Sequence, residues 1–242
     1  MLYALVFLIM FAAGSIQGAC GFGAGLIGMS LLPLLFDYKT ALPIMFIGAA
    51  AISLRLILVT YRDVDWKLFL VPTLFSIFGR VIGLLIFKNF TSLTLNIFLG
   101  ILIVLISLFQ MFWGYRLRIR PSTTNSMIAG TLSGILGGLA SASGPPLVVY
   151  YMNAKLDKST YIATIQASFF VGALFSITLL ASSGGYTLSS LKYGAFAAAG
   201  IVAGSIAGFR LFHKMNRDVL NKTINLVLLA MGLSLVIKSV LQ

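Results

Sequence analysis

The sequence predicts an all-α integral membrane protein built from two related halves, and three observations carry that prediction. Of its 242 residues, 60% are hydrophobic and only 9% charged, whereas a soluble domain needs about a quarter of its residues charged to cover its surface. The apolar residues fall in runs long enough to cross a hydrocarbon core about 30 Å thick. The chain also repeats itself. Ala13-Gly14-Ser15-Ile16-Gln17-Gly18 matches Ala129-Gly130-Thr131-Leu132-Ser133-Gly134 in pattern, and Gly79, Gly83, Phe87 and Asn96 have counterparts in Gly204, Gly208, Phe212 and Asn221. At membrane depth each backbone N–H and C=O must pair inside its own helix, and the alternation of a barrel strand is missing. Residues 1–120 form the first transmembrane repeat and 121–242 the second.

Each half opens with an apolar segment too interrupted to be one helix. In the first, Leu2 to Gly18 reads as a helix, Gly21-Phe22-Gly23-Ala24-Gly25 breaks it, and a short helix runs from Leu26 to Phe36. In the second, Ser126 to Leu139 is helical, Ala140 to Pro146 breaks it, and Leu147 to Met152 follows. Three longer spans complete each half, at 40–60, 67–87 and 91–113, then 159–181, 188–211 and 218–240.

The net charge of +12 sits mostly between the apolar runs. It forms no basic arm or amphipathic face for nucleic acid and reads as a topology signal. Arg116, Arg118 and Arg120 make the strongest basic loop, which places it in the cytoplasm. If each broken segment is a hairpin returning to the side it entered, the cytoplasm also receives Arg62, Lys67, Lys155, Lys158 and the cluster Arg210, Lys214, Arg217 and Lys222. Lys39, Lys88, Lys238 and the loop 182–185 stay outside. A single crossing per broken segment, giving eight spans, forces the 210–222 cluster outside and fits worse, although the second hairpin's short arm leaves that threading open. With hairpins, the two halves are inverted-topology repeats, each a Gly/Ser/Pro-broken helical hairpin followed by three transmembrane helices.

The two breaks are the strongest functional candidates. Unwound backbone at membrane depth survives only where protein or a water-filled cavity satisfies it. Its N–H groups and the positive end of the following half-helix make an anion site. Ser143 is placed to cap the second half-helix, with Pro145 and Pro146 tolerated in its first turn; Ser141 adds a hydroxyl. Small residues also let helices pack closely, but two breaks at matching places in two repeats favour a site.

These residues carry a resemblance. Gly21-Phe22-Gly23-Ala24-Gly25 with Pro33 downstream, and Ser143-Gly144-Pro145-Pro146-Leu147-Val148-Val149-Tyr150, resemble the opening motifs of the two halves in the sulfite exporter TauE/SafE family, over essentially the whole chain. The second motif departs from the commoner Gly-Gly-Gly-Pro form. The resemblance implies export of sulfite, sulfoacetate or related organosulfonates across the bacterial inner membrane by a multi-pass protein.

Arg55 and Arg80 fall inside spans away from the basic loops, where a guanidinium either snorkels to the interface or holds an anion. Gln17, just before the first break, and Gln166, after the second hairpin, are further ligand candidates. Ser53 and Asn153 read as interhelical hydrogen-bonding groups. The expected substrate contacts are therefore Gln17, Gly21, Phe22, Gly23, Ala24, Gly25, Arg55, Arg80, Ser141, Ala142, Ser143, Gly144 and Gln166. All five acidic residues are Asp, and Asp37, Asp63, Asp65, Asp157 and Asp218 each lie in or beside a loop, so no proton-coupling carboxylate is expected at depth. Cys20 reads as a packing residue, His213 as solvated, and Trp66 and Trp113 as interfacial. No cofactor, metal, ATP or nucleic acid is expected. The partners are a small anion and the bilayer, with a homodimer left open by glycine faces such as Gly200, Gly204 and Gly208. A passive anion channel is the alternative to a carrier; an intramembrane enzyme lacks its Ser/His or paired-carboxylate constellation.

Overall fold

The computed structural model describes residues 1–112, 120–212 and 217–240, and all its regular elements are helical. Trp113, Arg116, Arg118, His213 and Lys214 lie outside the described residues, as do the side chains of Arg217, Lys222 and Lys238. The first half comprises α1 (Leu2–Cys20), α2 (Ala24–Leu31) with a 3-10 turn at Leu32–Leu34, α3 (Tyr38–Thr60), α4 (Trp66–Asn89) and α5 (Ser92–Phe112). The second comprises α6 (Thr123–Ala140), α7 (Gly144–Asn153), α8 (Lys158–Ser182), α9 (Leu188–Phe212) and α10 (Arg217–Val240).

Among the described residues six helices are long and apolar enough to cross a membrane: α1, α3, α4, α5, α8 and most of α9. The exterior is apolar, with Leu58, Leu70, Phe78, Leu105 and Ile237 among its exposed residues, while Gln17, Ser53, Arg80, Ser133, Gln166 and Ser176 are buried. That inversion of the soluble pattern is what lipid as solvent produces, since only the bundle interior can pair polar groups. The loop aspartates have a structural task. Asp37, Asp65 and Asp157 cap α3, α4 and α8, accepting from first-turn amides and adding negative charge at the positive helix ends. The hydroxyl and amide of Thr160 hold the exposed Asp157 carboxyl below its usual range.

Both broken segments are hairpins. Tyr3, at the start of α1, and Phe36, just after the 3-10 turn, both pack against Tyr193 in tilted ring contacts, with centroids 4.6 and 4.8 Å from it. The chain therefore returns to the end where it began. In the second half, Gly130 near the start of α6 lies on Pro72, while Tyr151 near the end of α7 donates to the Leu68 carbonyl (3.4 Å). Both α4 residues belong to the same end of that helix. The breaks are tighter than the sequence suggests. They span residues 21–23 and 141–143, so Ala24 and Gly25 already belong to α2, and α7 gains a turn because Pro145 and Pro146 sit at its start, where no intrahelical N–H is needed.

The glycines repeated in sequence are the places where helices touch backbone to backbone. A Cβ on Gly14 or Gly18 of α1 would overlap the Ile201 or Ser205 carbonyl of α9, and one on Gly200, Gly204 or Gly208 would overlap α1 at Phe7, Phe11 or Ser15. The same contact recurs between α6 and α4, where Gly130 and Gly134 meet Pro72 and Ser76, and Gly79 and Gly83 meet Thr131 and Ile135. In each pair the helices run parallel. This packing corrects the register of the repeat. Since Gly79 corresponds to Gly204, Thr131 corresponds to Phe11, so Gly14 pairs with Gly134 rather than Gly130, one helical turn away. The corrected register also aligns Gly21 with Ser141, the two left-handed residues that close α1 and α6. It aligns the Asp37/Thr40 cap with the identical Asp157/Thr160 cap as well.

Candidate functional site

The two hairpin tips meet. Gly25 lies so close to the Ser141 carbonyl oxygen that a side chain there would overlap it, and the Gly144 Cβ position is 3.2 Å from the Phe22 ring. Each tip is locked by its own backbone. Gly21 (φ 82°) and Gly23 (φ 106°) hold left-handed values that other residues resist. Ser141 adopts the same region (φ 54°) and ends α6 in a Schellman-type closure, its amide on the Gly137 carbonyl and the Ala142 amide on Leu136.

The cavity between the tips is lined by Gln17, Phe22, Gly23, Gly25, Ser141, Ala142, Ser143, Gly144 and Arg80 from the sequence candidates. Leu26, Ala49, Ser53, Pro145, Phe169 and Ala173 complete it. Its empty volume is ≈ 460 Å³ with the open mouth included, on the scale of small-molecule sites. Gly21, Ala24, Arg55 and Gln166 do not line it.

Arg80 dominates the cavity's electrostatics. It lies well inside α4 and is 3% exposed. Its Nη1 donates to Ser176 Oγ of α8 and its Nη2 to Ser143 Oγ at the second tip, both at 2.7 Å. Its Nε is buried with no hydrogen-bond partner among the described residues. The space it occupies is made by absence. A Cβ on Gly172 of α8 would overlap the guanidinium, and one on Gly137 of α6 would overlap the Ser143 hydroxyl. Among the described residues no carboxylate pairs with Arg80, so an unneutralised positive charge lines the cavity.

Ser143 departs from its expected role. Its side chain makes no capping bond to α7; the hydroxyl accepts from Arg80, and its carbonyl accepts from Ser133 Oγ at 2.7 Å. The helix start that remains open is that of α2. Ala24 N donates to Gln17 Oε1 (3.3 Å), while Gly25 N and Leu26 N, which follow it, have no acceptor among the described residues. Both residues line the cavity, so its rim adds amide donors and the positive helix end.

Gln166 braces the first tip from behind. It is fully buried, its Nε2 donates to the Gly21 carbonyl (2.7 Å), and its Oε1 accepts from Ser53 Oγ (3.1 Å) and Gln17 Nε2 (3.3 Å). Arg55 stands apart, half-buried, with Nη1 on Ser205 Oγ at 3.0 Å. The corrected repeat gives this pair a meaning, because Ser205 occupies in α9 the position that Arg80 holds in α4. One half bridges α4 to α8 with its arginine on α4, and the other bridges α9 to α3 with its arginine on α3.

The sequence reading passed over Ser176, Gly137 and Gly172, which shape the Arg80 pocket, and Phe169. All come from α6 and α8; a polar or small character inside an apolar run marks Ser176, Gly137 and Gly172, and nothing in the sequence marks Phe169. Compared with known proteins, residues 6–235 match a family model described as Sulfite exporter TauE/SafE. No curated protein and no solved structure matches the chain.

Proposed function

The chain belongs to the sulfite exporter TauE/SafE family, and on that premise we propose that it is a secondary transporter exporting small sulfur-containing anions such as sulfite, sulfoacetate or related organosulfonates from the bacterial cytoplasm across the inner membrane. The observation that carries the proposal is the buried Arg80 guanidinium, lacking a carboxylate partner among the described residues and facing a cavity between two broken-helix tips. The anion sits against the Arg80 guanidinium, with the Ser143 hydroxyl and the Gly25 and Leu26 amides supplying further donors. Because Ser143 is already bonded to Arg80, an arriving oxyanion competes for the bond that ties α4 to the second tip. Binding is thereby coupled to the tip's position. An anion leaving a cell that is negative inside gains about 2.3 kcal/mol per charge per 100 mV, so outward transport proceeds without a proton-coupling carboxylate.

Proteoliposomes preloaded with unlabelled sulfite and diluted into labelled sulfite test this reading. Saturable accumulation by counterflow is the expected result, and an unsaturated current with no accumulation means a channel instead.

Two inverted repeats fit this function, because exchanging their conformations exchanges the open side. Supporting the inversion, α1 runs beside α9 and α6 beside α4 in parallel, so the two hairpins start at opposite ends of the bundle. Lys39 and Ser159 are exposed equivalents at the starts of α3 and α8. In a Cys20→Ala background, a membrane-impermeant maleimide should label Lys39→Cys on intact cells and Ser159→Cys only after permeabilisation. Labelling of both from one face refutes the inversion.

A further inference from the structure

We infer that the cavity selects a cargo bearing one negative charge and no other: a tetrahedral oxyanion headgroup, either bisulfite or a sulfonate, with at most a short uncharged tail. This rests on the transport reading above and narrows its substrate class. Charge is scarce around this cavity. Among the described residues Arg80 is the sole cation lining the cavity, and no Asp, Glu, Lys or His lines it.

The guanidinium lines the cavity and carries more N–H donors than its bonds to Ser143 and Ser176 use, and such a planar group matches two oxygens of one headgroup. The start of α2 brings partial positive charge of about half a unit to the same headgroup, short of what a second anionic group needs. The rest of the lining is Phe22, Leu26, Ala49, Ala142, Phe169 and Ala173, against which a methyl or methylene packs and a charge is stranded. A second anionic group, as in sulfoacetate, is buried without a partner. An ammonium, as in taurine, meets no carboxylate and shares the space with Arg80. Either penalty amounts to roughly tenfold or more in affinity.

The experiment is competition against labelled-sulfite counterflow by the full chain in proteoliposomes, with methanesulfonate, taurine and sulfoacetate as competitors. Methanesulfonate should compete at least about tenfold better than the other two, and sulfite flux should rise with the bisulfite fraction as pH is lowered. Sulfoacetate or taurine competing as well as methanesulfonate, in vesicles where sulfite counterflow proceeds, overturns this inference and leaves the transporter standing. Absence of sulfite and methanesulfonate counterflow in folded protein overturns both.

Discussion

Replacing Arg80 with Gln should abolish counterflow while leaving the protein folded and inserted. The substitution removes the charge that faces the cavity and the fork that grips an oxyanion. Truncating one partner of a buried, hydrogen-bonded charge pair costs about 2–5 kcal/mol, so transport should fall by roughly two orders of magnitude or more. Stability moves differently. Ser143 and Ser176 lose a strong donor, worth about 1–3 kcal/mol each when nothing replaces it. The fold also loses a buried cation with an unsatisfied Nε, whose desolvation cost is of similar or larger size. Thermal unfolding in detergent should therefore stay near the parent's or rise. Arg80→Lys separates charge from geometry: it keeps the cation but not the planar fork, and should retain a measurable fraction of transport. Arg80→Gln protein that carries sulfite at the parental rate sinks the assignment of the anion site to this residue.

The class of fold was legible because lipid imposes a strong, local signature: long apolar runs, few charges, and loops that collect the cations. The hairpin breaks were legible because glycine, serine and proline clustered twice at matching places. What the chain order hides is rotation about each helix axis. α3 and α8 are apolar nearly all round, so periodicity does not mark their inward faces. Arg55 on α3 and Arg80 on α4 are equivalent by their distance from span ends, yet one points at Ser205 beyond the cavity lining and the other lines the cavity. For the same reason Ser176, Gly137 and Gly172 carried no visible link to Arg80, although α6 and α8 bring all three around it. The repeat shows a subtler loss. Matching glycine patterns by eye aligned Gly14 with Gly130, and the helical period makes a one-turn slip look almost as good as the true register. The Asp37/Thr40 and Asp157/Thr160 caps, spaced by a single offset from the tips, would have fixed it.

Glycines in this chain divide into those that hold helices together and those that open the tips, and Gly134→Leu tests the first group. A Cβ at Gly134 would overlap the Ser76 carbonyl oxygen, with the Ser76 carbonyl carbon at 2.8 Å and the Arg80 amide nitrogen at 2.9 Å. All three are backbone atoms of α4, so no rotamer change relieves the clash. The α6–α4 pair must separate by the thickness of a side chain, and the neighbouring contacts at Gly79, Gly83 and Gly130 separate with it. Overpacking one site costs about 1–3 kcal/mol; losing a whole close-packed seam, with the interhelical attraction that replaces the hydrophobic effect in lipid, should exceed that. The expected result is a large fall in thermal stability or failure to accumulate in the membrane. Leu132→Ala, on the exposed face of the same helix, should leave stability unchanged. Gly134→Ala should fall between them, since a single methyl displaces α4 less than a leucine does. A Gly134→Leu protein that melts with the parent would mean that α6 and α4 do not pack through this seam. The contact that seats Arg80 against Gly137 and Ser143 would then lose its support, and the anion site with it.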